Sequence, residues 1–150
     1  MNPNPEKLRY RNDKRSASFI NLAILLNAVF FITVYSNSSV SPDRFMGIDI
    51  IINILFMLVA FYAGEMIKVY NKKWSCITVG IAVIQILRIF WLPARYNSLE
   101  ELVGNSYLIA ISALAVSGLF LLISAIRSYR LSSVLEKYLK ENPSLSKGGH

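Results

Sequence analysis

Apolar positions along this chain gather into four long runs, at 17–35, 46–67, 74–92 and 107–126, parted by short polar stretches. A helix rising 1.5 Å per residue needs about 20 apolar residues to cross the hydrocarbon layer. Each run has that length and predicts a transmembrane helix. The alternation that a membrane barrel requires is missing, and the chain has too few segments to close one. The first run is long, and residues 36–41 lack a small-x-small cleavage site, so it reads as a retained span and not as a signal peptide.

The polar stretches sort by charge. Lys7, Arg9, Arg11, Lys14 and Arg15 precede the first run, and Lys68, Lys72 and Lys73 follow the second. Arg127, Arg130, Lys137, Lys140 and Lys147 follow the fourth, whereas the other two connections carry only Arg44 and Arg95. Basic residues stay on the cytoplasmic side, so both termini and the middle loop are expected there, in the cell membrane. Residues 1–15 form a basic cytoplasmic tail, its first five residues disordered, and the loops at 36–44 and 94–106 face outside. Trp74 marks the inner boundary, and Trp91 and Tyr96 the outer one. Pro93 is expected to stop the third span.

Beyond Arg130, Leu131, Val134, Leu135, Tyr138 and Leu139 recur at helical spacing. They predict a short C-terminal amphipathic helix, continuing the fourth span or lying on the inner leaflet, with a loose tail to residue 150. The expected fold is an all-α membrane protein, a bundle of four transmembrane helices forming one domain over residues 1–150.

Composition narrows the chemistry. Hydrophobic residues make up 54% of the chain and charged residues 17%, with a net charge of +7. That surplus sits at the ends of apolar runs, so it reads as a topology signal and no nucleic-acid partner is expected. One cysteine, Cys76, and one histidine, His150, make neither a disulfide nor a CxxC pair nor a bis-histidine haem site. No metal-ligand spacing, phosphate loop or hydrolase motif occurs, and a serine nucleophile would find no histidine base within a span. The chain reads as a non-enzyme without cofactor or metal.

The informative residues are the polar ones inside the runs. Arg88 lies about 20 Å along the helix from Trp74, deep enough that burial costs about 2.5–3.5 kcal/mol on insertion scales. Such a charge needs a partner, water or the interface. Asp49 and Asn53 lie about 5 and 10 Å into the antiparallel second span, one turn apart on one face, at the depth of Arg88. An Arg88–Asp49 ion pair assisted by Asn53 and Gln85 is therefore expected. Thr78, Gln85, Arg88 and Arg95 share one face of the third span, pointing into the bundle or an oligomer axis. Asn27 and Asn21 read as further buried amides, and Glu65–Lys68 as an interfacial ion pair.

Small residues mark close contacts: Ala60 with Gly64, and Ala113 with Ser117, joined by Ala110 and Gly118. The function expected is a non-enzymatic membrane subunit, assembling with itself or a larger membrane complex through helix packing. The alternative is an oligomeric transporter or channel for a small anion, using the Arg88 stripe. The partners expected are membrane lipids and either further copies or a larger complex.

Overall fold

The computed structural model describes residues 12–36, 44–98 and 105–142. They form four helices, α1 (Lys14–Ser36), α2 (Arg44–Lys68), α3 (Lys72–Ser98) and α4 (Asn105–Glu141). No strand occurs among the described residues. All four are long and apolar enough to cross a membrane, as in a multi-pass membrane protein. Most of the basic tail (residues 1–11), residues 37–43 and 99–104 of the two loops expected outside, and the loose tail beyond residue 142 lie outside the described residues.

The helices pack as a ring in which α4 lies most closely against α1 and α3, while α2 closes the ring against α1 and, more lightly, α3. Small side chains permit this. Ala60 and Ala63 of α2 pack with Ile20 and Ala23 of α1, and Ala82 of α3 with Leu121 of α4. A second apolar cluster joins Phe30 and Val34 to Ala110, Ala113 and Leu114. The small pairs expected to mediate packing are turned inward, Gly64 against Ile20 and Ala113 and Ser117 within the core. Gly118 lies so close to α3 that a Cβ there would sit 2.9 Å from Ile86 Cγ1.

Polarity is partly inverted relative to a soluble bundle. Leu25, Ile32, Ile51, Leu58, Leu87 and Phe90 point outward, while Asn27, Asn53, Ser75, Thr78, Gln85, Ser117, Ser124 and Ser128 are buried. Large apolar side chains are at no disadvantage against lipid, whereas unmet polar groups are costly there. Asn21 departs from expectation. It lies about 100° around α1 from Ile20, off the face that Ile20, Ala23 and Asn27 turn to the core, and it is exposed.

The helix ends explain where the elements stop. Asp13 caps α1, accepting hydrogen bonds from the Ser16 backbone N–H (3.2 Å) and the Ser16 hydroxyl. Its own N–H reaches the last carbonyl of α2, at Lys68 (3.0 Å). That end of α2 closes as a Schellman turn, with Asn71 N–H bonded to Met66 O and Tyr70 N–H to Ile67 O. Tyr70 takes the left-handed conformation (φ 57°) usually left to glycine. Asn71 then caps α3 through Oδ1, accepting from the N–H groups of Lys73 and Trp74.

One boundary differs from expectation. Helix α3 does not stop at Pro93 but runs to Ser98. Proline's φ is compatible with a helix, and spanning helices tolerate the lost hydrogen bond and the ring crowding that end many helices in water. Beyond Arg130, residues 131–141 continue α4 without a break, which is the first of the two courses expected for them. No proline interrupts α4, and its one glycine, Gly118, lies in mid-helix.

Candidate functional site

Four buried side chains meet in the half of the bundle away from Asp13. Asn27 comes from α1, Asn53 from α2, and Gln85 and Arg88 from α3, the last two one turn apart on a single face. Arg88 Nη2 donates to Asn53 Oδ1 at 2.7 Å, and Nη1 donates to Gln85 Oε1 at 3.0 Å and Asn27 Oδ1 at 3.3 Å. The amides link to one another as well. Asn27 Nδ2 donates to Asn53 Oδ1 (2.9 Å) and Gln85 Nε2 to Asn27 Oδ1 (3.0 Å). Helix α4 joins through Ser117, whose Oγ accepts from Gln85 Nε2 (3.2 Å) and donates to the Ala23 carbonyl of α1 (2.9 Å). All four helices are thereby tied at one level.

The charge is embedded in aromatic surface too. The Arg88 guanidinium carbon lies 5.4 Å from the Phe30 ring centroid and 5.3 Å from that of Phe56. Each ring face offers a favourable quadrupole to a cation held away from water. Arg88 as a whole is 9% exposed, sheltered by protein. A crevice beside the cluster, lined by Asn27, Phe56, Met57, Ala60 and Ser117, is too narrow for a water molecule. One polar atom is left over: Asn53 Nδ2 is buried with no hydrogen-bond partner.

Arg88, Asn53 and Gln85 come together, and the hydrogen bonds described for Arg88 run to carboxamides, with Asn27 as the hub. Asp49, expected as the leading partner, is half-buried one turn from Asn53. Thr78 is buried on the stripe, but its hydroxyl donates to its own helix, to Trp74 O at 2.8 Å. The side chain of Arg95 lies outside the described residues. Ser117, picked out only for its size, belongs to the network through its hydroxyl. Glu65 and Lys68 form the expected ion pair.

A second polar zone, at the other end of the bundle, escaped the sequence reading. Ser124 Oγ donates to the Ser16 carbonyl (2.8 Å), and the hydroxyls of Ser75 and Ser128 lie 2.9 Å apart. Arg127 Nε stands 3.7 Å from Asp13 Oδ1. Beyond the spans, Lys72 at the start of α3 bonds Glu136 of α4 at 2.9 Å, and Lys140 reaches the same carboxylate at 2.9 Å. Hydrogen bonds from Lys72 and Lys140, reinforced by their charges, lower the Glu136 pKa to about 2, and Glu136 in turn raises that of Lys72. An Asp three residues before a Ser was the available signal for the cap. The Ser117–Ser124–Ser128–Ser132 ladder, at intervals of 7, 4 and 4, was the signal for the rest.

Among the described residues no group of His, Cys, Asp and Glu could hold a metal ion. No family model, curated protein or solved structure matches the chain.

Proposed function

We propose that this chain is a non-enzymatic integral membrane subunit that works by contact, assembling with itself or with a larger membrane complex through helix packing. The observation that carries this reading is the Arg88 cluster. Its guanidinium is locked by amides from three helices and two aromatic rings, with no room for water in the adjoining crevice. A group held this way fixes the arrangement of helices, and what the molecule then offers outward is mainly long apolar faces and the α4 extension. The reading places both termini on the cytoplasmic side of the cell membrane. It treats residues 131–141, with Leu131, Val134, Leu135, Tyr138 and Leu139 on one side, as an amphipathic docking element.

The test is purification in a mild detergent after cross-linking in the native membrane. Particles heavier than one 16.9 kDa chain are expected. A lone chain with nothing cross-linked to it refutes the proposal.

A second reading, an oligomeric path for a small anion, draws on the unpartnered Asn53 Nδ2 beside the Arg88 cation. Its test is anion flux into liposomes carrying the purified chain. That reading expects flux which falls in Arg88→Ala, and the absence of flux removes it.

A further inference from the structure

At the Asp13 end, the outer groove between α1 and α4 carries the exposed cations Arg15 and Arg130 and, beside the buried Asp13, Arg127. Three contacts set the register of the two helices there: Ser124 Oγ on the Ser16 carbonyl at 2.8 Å, the Phe19 and Phe120 rings stacked at 5.8 Å, and Arg127 beside Asp13 at 3.7 Å. Arg15 lies one turn from Phe19 on the same flank of α1, and Arg127 two turns from Phe120 on the same flank of α4. Arg15 and Arg127 therefore border one groove within about one turn of each other in height, with Arg130 one turn further along α4.

Of these cations only Arg127 has a carboxylate within 4 Å among the described residues, that of Asp13. Asp13 already accepts both bonds from Ser16, and Arg127 Nε is buried without a hydrogen-bond partner. The Arg127 side chain is nonetheless 41% exposed, so its outer face is open to a ligand. Arg15 and Arg130 are exposed and take part in no ion pair among the described residues. Toward the middle of the bundle the groove turns apolar, with Phe19 and Phe120 half-buried and Ile123 exposed.

We propose that this groove binds one anionic phospholipid, its phosphate between Arg15 and Arg127 and an acyl chain along Phe19, Phe120 and Ile123. An anionic amphiphile matches both halves of the groove. Guanidinium pairs suit phosphate oxygens, and the apolar half is at home against a chain. An acidic peptide would satisfy the arginines but leave its charges against Phe19 and Ile123. The site depends neither on the subunit reading nor on which leaflet this end faces.

The experiment titrates the delipidated full-length chain in detergent with phosphatidylglycerol or phosphatidylcholine and counts bound lipids by native mass spectrometry. The first phosphatidylglycerol is expected to bind at least about 10-fold more tightly than phosphatidylcholine. Arg15→Gln and Arg127→Gln are each expected to weaken it about fivefold, the effect of one basic contact near a headgroup. The double variant then loses the preference, and Arg127→Lys keeps most of it. Lys73→Gln, which removes another unpaired cation at this end of the bundle, leaves binding unchanged.

Equal binding of the two lipids, a preference that survives in the double variant, or an equal loss in Lys73→Gln overturns the proposal. So does displacement of the lipid by millimolar glycerol phosphate or by polyglutamate, since the ligand would then be a soluble anion or an acidic peptide. Should Arg127→Gln fail to fold, Arg15→Gln, at an exposed position, decides the matter on the same outcomes. Lipids are counted per chain, so the result is independent of whether the chain is alone or assembled.

Discussion

Asn27 does more in this molecule than its size suggests, because one carboxamide serves three partners. It donates to Asn53 and accepts from Gln85 and Arg88. A single interhelical hydrogen bond in a membrane is worth about 0.6 kcal/mol on average. Asn27→Leu removes three and takes one acceptor from a buried cation, so a loss of about 2 kcal/mol is expected. Thr78→Val removes a bond within one helix, to Trp74 O, and is expected to stay within about 0.5 kcal/mol. Unfolding both variants in bicelles with increasing denaturant compares them. Equal losses would mean that burial alone sets the cost. The sequence pointed at Arg88 because charge is rare in a span, and at Asn53 and Gln85 because helical spacing and depth bring them to it. It pointed at Asp49 as well, because that carboxylate lies at the same depth with opposite charge. The hub role of Asn27 depends on the azimuth of α1, which no single span encodes.

Between elements, backbone distance decides what a substitution does. A Cβ on Gly118 would meet Ile86 Cγ1 at 2.9 Å, while one on Gly64 would meet Ile20 Cγ2 at an ordinary 3.5 Å. Gly118→Ala is therefore expected to push α3 from α4 and cost about 1–3 kcal/mol. Gly64→Ala is expected to be neutral or stabilising by up to about 1 kcal/mol, because alanine loses less freedom on becoming helical. Thermal unfolding of each, with Ile86→Ala as a rescuer of Gly118→Ala alone, checks the difference in sign. The sequence marked both glycines as small but held no measure of approach. Element ends were legible only in part. The lengths of the apolar runs gave the four helices, yet charged flanks did not stop them: α1 begins at Lys14 and α4 runs on to Glu141.

At the scale of the whole molecule, the helical bundle is tied outside the spans by Lys72, Glu136 and Lys140. Glu136 has its pKa lowered from 4.5 to about 2, so it favours the folded state above pH 4.5. That contribution shrinks as pH falls from 4.5 towards 2 and is gone below it. The Lys72 pKa is raised, so its share persists below 10.5 and fades only as pH climbs through its higher folded value. The stability advantage of the wild type over Glu136→Gln is thus expected to be flat from about pH 5 to 10 and to vanish near pH 2. Thermal midpoints of the two proteins in detergent across that range measure it. An advantage that is unchanged at pH 2 would exclude the tie.

Helix α4 is unbroken from Asn105 to Glu141, about 55 Å at the ordinary helical rise, against about 30 Å of hydrocarbon. Its last three turns, residues 131–141, are continuous with the part that packs between α1 and α3. A displacement at Tyr138 is thus passed along one hydrogen-bonded helix to Ser128 and Ser124, where α3 and α1 are fastened to it.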